Sequence, residues 1–165
     1  MKPSVRRFSW GDIEVLMDEL GERIRARRPR PDAILAVARG GLAPATLLAH
    51  RFEIPEVESI RARVTENDGP HTPKRSSVDL GALPPAYEAD RLLVVDDVIG
   101  TGRTWHAVND AVRARRSRAL SPPMWVVLYP NLDNAEVAVP DDVLIGWTSR
   151  EWVVFPWERR RRRSD

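Results

Sequence analysis

The chain has 165 residues, 42% of them hydrophobic and 30% charged, which is the size and balance of one globular domain with room for a proper core. It has no cysteine, so a disulfide framework and a thiolate nucleophile are both excluded, and no apolar run approaches the length of a membrane span. Arg159, Arg160, Arg161, Arg162 and Arg163 contribute five of the positive charges behind a formal charge of +2, so the body without them is slightly acidic. The first residues, Met-Lys-Pro-Ser-Val-Arg-Arg, lack the apolar core of a signal peptide, and the expected location is cytoplasmic.

The first helix is expected from residue 9 to about 28. Ser9 and Asp12 form a variant capping box, Trp10 is placed to act as a hydrophobic staple, and Ile13, Leu16, Met17, Leu20 and Ile24 recur at helical spacing. Pro29 and Pro31 end it. Residues 33–38, Ala-Ile-Leu-Ala-Val-Ala, read as a buried strand that ends in Arg39-Gly40-Gly41. Pro44 is placed to begin the next helix, over 45–52. This strand, small-residue loop and helix aim backbone N–H groups and an arginine at the space above the strand ends, where open parallel sheets hold ligands.

A third strand is expected over 58–64. Residues 65–90 then lose periodicity and carry Asn67-Asp-Gly-Pro70, Pro73-Lys-Arg75 and Pro84-Pro85, with a short strand at 77–80. Compact domains rarely hold so long a loop without a use for it.

The centre of the chain is residues 91–104, Arg-Leu-Leu-Val-Val-Asp-Asp-Val-Ile-Gly-Thr-Gly-Arg-Thr. Leu92 to Val95 read as a buried strand, Asp96 and Asp97 follow it, and Gly100, Thr101 and Gly102 form a loop before a helix that starts at Thr104. Glycines let several N–H groups converge on one anion, and the helix adds its positive end. The carboxylates suit hydroxyl groups or a magnesium ion a few ångströms away. A ligand with a phosphate at one end and a diol in the middle, such as a ribose 5-phosphate, fits both halves.

The helix from Thr104 to Arg116 presents Trp105, Ala107, Val108, Ala111 and Val112, with His106 expected at the surface and residues 113–118 as a solvated end. Strands follow at 124–129 and 143–147. Strands alternating with helices imply an α/β fold with a parallel sheet. The last segment, residues 147–158, holds Trp147, Trp152, Phe155 and Trp157, and such faces stack on flat heterocycles as well as on core side chains.

Residues 91–104 resemble the ribose-phosphate signature of the type I phosphoribosyltransferases. Residues 36–45, Ala-Val-Ala-Arg-Gly-Gly-Leu-Ala-Pro-Ala, resemble the pyrophosphate loop of the 6-oxopurine enzymes of that family, and residues 151–158, Glu-Trp-Val-Val-Phe-Pro-Trp-Glu, are similar to the end of the xanthine-guanine and archaeal purine enzymes. The resemblance implies a central parallel sheet flanked by helices with a small C-terminal hood. It implies a domain over 1–158, with 65–90 as an active-site loop that closes over the substrate, 147–158 as the base-binding hood and 159–165 as a basic tail. The implied reaction moves the 5-phosphoribosyl group from phosphoribosyl diphosphate (PRPP) to a nucleobase, with release of diphosphate.

On this resemblance Asp96 and Asp97 meet the ribose hydroxyls and magnesium. Gly100, Thr101, Gly102, Arg103 and Thr104 hold the 5-phosphate, and Arg39, Gly40 and Gly41 hold the diphosphate after a cis peptide bond at Ala38–Arg39. Lys74 and Arg75 reach the diphosphate from the loop. Trp152 stacks on the base and backbone groups near Val153 read its edge, whereas Trp157, read from its aromatic side chain alone, is expected to cap the core. Two positions depart from the purine pattern. Gly100 stands where those enzymes carry an aspartate that handles the proton on N7 of the base. Tyr129 stands where they carry a lysine against the 6-oxo group, so that Tyr129 is expected at the base, donating one hydrogen bond without a positive charge. A purine-like base is still the expected acceptor. The alternative is a PRPP-binding regulator with weak or lost catalysis, whose arginine tail could touch nucleic acid. A homo-oligomer, dimer or tetramer, is expected by the same resemblance.

Overall fold

The computed structural model describes residues 4–27, 30–65, 77–131 and 141–158. Along the chain these form β1 (Val5–Arg7), α1 (Trp10–Arg27), β2 (Ala33–Ala38), α2 (Leu42–Phe52), β3 (Glu56–Thr65) and β4 (Ser77–Leu80). A short 3-10 turn at Pro85–Glu88 leads to β5 (Leu92–Ile99), α3 (Arg103–Arg115), β6 (Met124–Pro130), β7 (Leu144–Ile145) and β8 (Trp152–Val154). The expected lid residues Lys74 and Arg75 and the arginine tail lie outside the described residues.

Six strands make one sheet in the order β4-β3-β2-β5-β6-β7. All its neighbours are parallel except β3 and β4. The chain leaves β2 toward β3 on one side and later returns to pair β5 on the other. The strand order therefore reverses between β2 and β5, and the crevice beyond their carboxyl ends is where an open α/β sheet binds its ligand.

Strand alternation builds two cores. Ile34, Ala36, Leu93, Val95, Val126 and Leu128 pack with α1 and α2. Leu35, Val37, Leu92, Val94, Trp125 and Val127 pack with Val108 and Val112 of α3. Helices thus cover both faces, which is why β2, β5 and β6 read as unbroken apolar runs.

The capping box at α1 is present: Asp12 Oδ2 accepts the Ser9 N–H at 2.7 Å, and Ser9 Oγ accepts the Asp12 N–H at 3.1 Å. The staple position is held by Phe8, which is buried, whereas Trp10 is 56% exposed. Phe8 precedes the cap residue and is therefore the side chain aimed at the core. Helix α2 starts at Leu42, ahead of Pro44, because the first N–H groups of a helix need no internal partner and proline is tolerated there. Strand β5 does not stop at Val95 but carries both acids. The expected strand over 143–147 shrinks to β7, with the N–H groups of Gly146 and Trp147 still bonded to the carbonyls of Val127 and Leu128.

The end of α3 is not a wholly solvated run. Arg116 is buried, and its guanidinium donates to the carbonyls of Tyr87, Ala89, Asp90 and Ser121. Sequence charge alone does not distinguish such an internal clamp from the exposed Arg113 and Arg115. His106 is only partly exposed, with its Nε2 buried and its ring edge-on to Trp105 at 4.7 Å.

The second sheet was absent from the sequence expectations. β1 and β8 pair in parallel, Val5 with Trp152, Arg6 with Val153 and Arg7 with Val154. β1 is a three-residue Val-Arg-Arg segment whose burial pattern carries no alternation. No helix among the described residues is long and apolar enough to cross a membrane.

Candidate active site

Two loops meet at the crevice between β2 and β5. The first begins with a cis peptide bond at Ala38–Arg39 and leaves the Arg39 side chain exposed. It turns at once into α2: the Gly41 N–H donates to the Val37 carbonyl at 2.9 Å, and the Gly41 carbonyl accepts the Ala45 N–H at 3.0 Å. A Cβ on Gly40 would fall within the Asp97 carboxylate, and one on Gly41 would overlap the carbonyl oxygen of Val95. Only glycine lets the Arg39 loop lie this close to β5.

The second loop follows β5. Ile99 still belongs to the strand, and its carbonyl accepts the Asn131 N–H at 2.7 Å. Gly102 then turns the chain with φ 85°, a left-handed conformation that a side chain disfavours, and α3 begins at Arg103. The Thr101 hydroxyl lies 3.5 Å from the Arg103 N–H. The N–H groups of the first turn of α3 and the Thr101 and Thr104 hydroxyls are the groups that the sequence reading expects to seat an anion. A Cβ on Gly100 would meet nothing within 4 Å, so no steric demand places glycine there.

The acid pair lies between these loops. Alternation along β5 sets Asp96 on the α3 side and Asp97 on the α1 and α2 side. Asp96 is buried, and its Oδ1 accepts the Asp97 N–H at 2.9 Å. Burial pushes its carboxyl well above the ordinary aspartate range, and the neighbouring Asp97 charge pushes it further. Burial also raises Asp97, against a hydrogen bond from the Trp157 indole, which contacts Asp97 Oδ2 at 3.4 Å.

No group of three or more His, Asp or Glu side chains suited to a metal is found among the described residues. Magnesium needs no such cage, because it keeps water and takes one or two carboxylates with substrate phosphates. The two desolvated carboxylates of Asp96 and Asp97 fit that demand.

In the segment expected to hold the base, Trp152 is 55% exposed and offers an aromatic face. Its N–H donates to the Ser4 carbonyl at 2.8 Å, and the Val154 carbonyl accepts the Phe8 N–H at 3.0 Å. Since both flanking residues turn toward β1, the backbone N–H and C=O of Val153 face the other edge of β8. Tyr129 is placed differently from the expectation. Its ring is 2% exposed, and its hydroxyl bonds to the carbonyls of Glu151 at 2.6 Å and Ser149 at 3.0 Å. Its hydroxyl serves the 147–151 loop from inside, because β6 directs that side chain into the core.

Sequence reasoning missed the Trp157–Asp97 contact and the Gly40–Asp97 contact. Both join segments far apart in the chain, and no local spacing encodes them.

The comparisons with known proteins agree with this geometry. A family model described as the phosphoribosyl transferase domain matches residues 9–157. The chain is 30% identical over 155 residues to a xanthine-guanine phosphoribosyltransferase of Idiomarina loihiensis, covering 91% of this chain and 84% of that one. It superposes on a purine phosphoribosyltransferase from Pyrococcus horikoshii with a TM-score of 0.75 at 25% identity, over 94% of this chain and 95% of the other. A Helicobacter pylori xanthine-guanine-hypoxanthine phosphoribosyltransferase shares the fold, with a TM-score of 0.77 at 20% identity over 93% and 94% of the two chains. From the two loops at the β2–β5 crevice to the match over nearly its whole length, the chain belongs to the phosphoribosyl transferase family and is a transferase of the phosphoribosyl group.

Proposed function

We propose that the enzyme transfers the 5-phosphoribosyl group of PRPP to a ring nitrogen of a purine-like base in the β2–β5 crevice. The observation that carries this assignment is the packing of Gly40 directly on Asp97, which sets the arginine loop and the acid pair side by side. The 5-phosphate takes the N–H groups and hydroxyls of residues 101–104. Asp96 and Asp97 accept hydrogen bonds from the ribose hydroxyls. Arg39 and the loop amides after it hold the leaving diphosphate. A bound magnesium ion would be held by Asp96, Asp97 or both and would offset negative charge on the diphosphate.

In the reaction the C1–O bond to diphosphate breaks as a base nitrogen bonds to C1, giving a nucleotide and free diphosphate. Positive charge grows on the sugar and negative charge on the leaving group. Orientation and fixed dipoles therefore carry the catalysis. Trp152 stacks on the base, and the outward N–H and C=O of Val153 pair with its edge. Gly100 provides no group to take a base proton, so we expect an acceptor that is already anionic or that gives its proton to water. Lys74, in the 65–90 segment, is assigned to the diphosphate by resemblance alone. Assembly as a dimer or tetramer is expected on the same ground, and sedimentation velocity decides it.

The test is product analysis by mass spectrometry with PRPP, magnesium and a panel of purine, pyrimidine and pyridine bases. A purine nucleotide formed with equimolar diphosphate supports the assignment. A nucleotide only from a non-purine base would overturn the choice of acceptor. Tight PRPP binding with no product from any base would favour the regulatory alternative.

A further inference from the structure

The base-side segment ends in a side chain that reaches back to the sugar site. Phe155 and Glu158 close a reciprocal turn: Glu158 Oε2 accepts the Phe155 N–H at 2.7 Å, and the Phe155 carbonyl accepts the Glu158 N–H at 3.1 Å. The turn folds Trp157 back over Phe155, with ring centroids 4.7 Å apart and planes 8° from parallel. Phe155 is itself buried in the core beside Phe8. Held this way, the Trp157 indole N–H points at Asp97 Oδ2, 3.4 Å away. Gly40 lies against the same carboxylate.

We propose that Trp157 is a positioning residue for Asp97: its indole N–H fixes the carboxylate that meets the ribose and ties the base-side segment to the sugar site. An aromatic that only capped the core would need no donor, and phenylalanine would serve as well. A half-buried indole N–H instead requires an acceptor, and here the acceptor is a carboxylate at the crevice. The bond removes one rotational freedom from Asp97 before substrate arrives, which lowers the ordering cost of binding. It also gives strand β8 a route to the sugar site that passes through side chains rather than through the sheet. This inference rests on the PRPP-binding role proposed above for Asp97.

The test is a double-mutant cycle on PRPP affinity, measured by calorimetry in the presence of magnesium. Trp157→Phe keeps the ring over Phe155 and removes only the donor. It should weaken PRPP binding about tenfold, in the range of one hydrogen bond to a charged group, and raise the KM for PRPP more than it lowers kcat. In an Asp97→Ala background the same change should have no further effect. Equal losses in both backgrounds, or no loss in the parent, would overturn the inference and return Trp157 to a packing role. A parent protein that binds no PRPP would overturn the functional assignment as well, so the two failures are distinguishable. A second readout needs no Trp157 variant: with nitrogen-labelled tryptophan, the indole resonance that shifts on Asp97→Ala should also shift on PRPP addition. An unmoved indole spectrum in both cases would contradict the contact.

Discussion

The proposed sugar side and the proposed base side of this site are built in different ways. The sugar side is assigned to the ends of β2 and β5, two adjacent central strands; Gly40 and Gly41 of the first loop meet Asp97 and other backbone at contact distance, and Gly102 turns the second loop with its left-handed φ. The base side is assigned to β8, a three-residue strand paired among the described residues with β1 alone, and depends on aromatic packing and one internal tyrosine. A site held by sheet ends tolerates little change. A site held by a short ribbon can vary its chemistry while the reaction class stays fixed. Of the two departures from the purine pattern, Gly100 lies in the loop after β5 and Tyr129 supports the 147–151 loop from inside.

The sharpest way to break this contrast is on the sugar side. Arg39→Ala and Asp97→Asn should each reduce kcat/KM by about a hundredfold or more, the scale of losing a preorganised electrostatic contact. Gly40→Ala should do the same without removing any functional group, because its methyl would displace the Asp97 carboxylate. Steady-state kinetics with PRPP varied would show it, and a Gly40→Ala enzyme of parental activity would contradict the contact between the loops.

The base side should respond more mildly and through a different constant. Trp152→Ala should raise the KM for the base about tenfold, the scale of one aromatic stack, and leave the KM for PRPP unchanged. Equal changes in both constants would show that the two halves are not separable at Trp152. Tyr129→Phe removes a buried hydroxyl that bonds to the carbonyls of Glu151 and Ser149. It should cost about 1 kcal/mol of stability, or roughly 2–4 °C in Tm by calorimetry, with the base KM rising only a few-fold.

The smallest expected effect has a distinctive sign. Burial raises the Asp96 carboxyl above its unfolded value, so the folded protein holds that proton more tightly than the unfolded chain. Stability contributed at this position is therefore lost as pH rises from the unfolded aspartate range through the raised folded value. Asp96→Asn should raise Tm of the ligand-free protein at neutral pH by a few degrees, roughly the effect of 1 kcal/mol, while lowering turnover. Below about pH 3.5, under the usual aspartate range, the gain should vanish. A gain that is the same at every pH would point to packing instead.

These contrasts also explain what could be read from the sequence. The apolar runs of β2, β5 and β6 and the spacing along α1 reveal the layered sheet, because residues buried on both faces of a parallel strand leave no alternation to misread. The strand, acid pair, glycine turn and helix start of residues 91–104 were legible because they are local and fall within one strand–loop–helix unit. The contacts that hold residues 147–158 were not, because they are long-range. Tyr129 turns inward through its place on β6, Trp157 reaches Asp97 across 60 positions, and β1 acquires its strand only from pairing with β8. Arg116 illustrates the same limit, since one arginine in a basic run became a buried clamp on four carbonyls.

The most direct measurement is diphosphate release from PRPP on addition of a purine base, followed in parallel for the parent protein and for Arg39→Ala. The account predicts base-dependent release by the parent, stoichiometric with nucleotide, and release lowered at least about a hundredfold in the variant. Release that does not require a base, or that survives loss of Arg39 undiminished, would contradict the assignment of the β2–β5 crevice as the site of transfer.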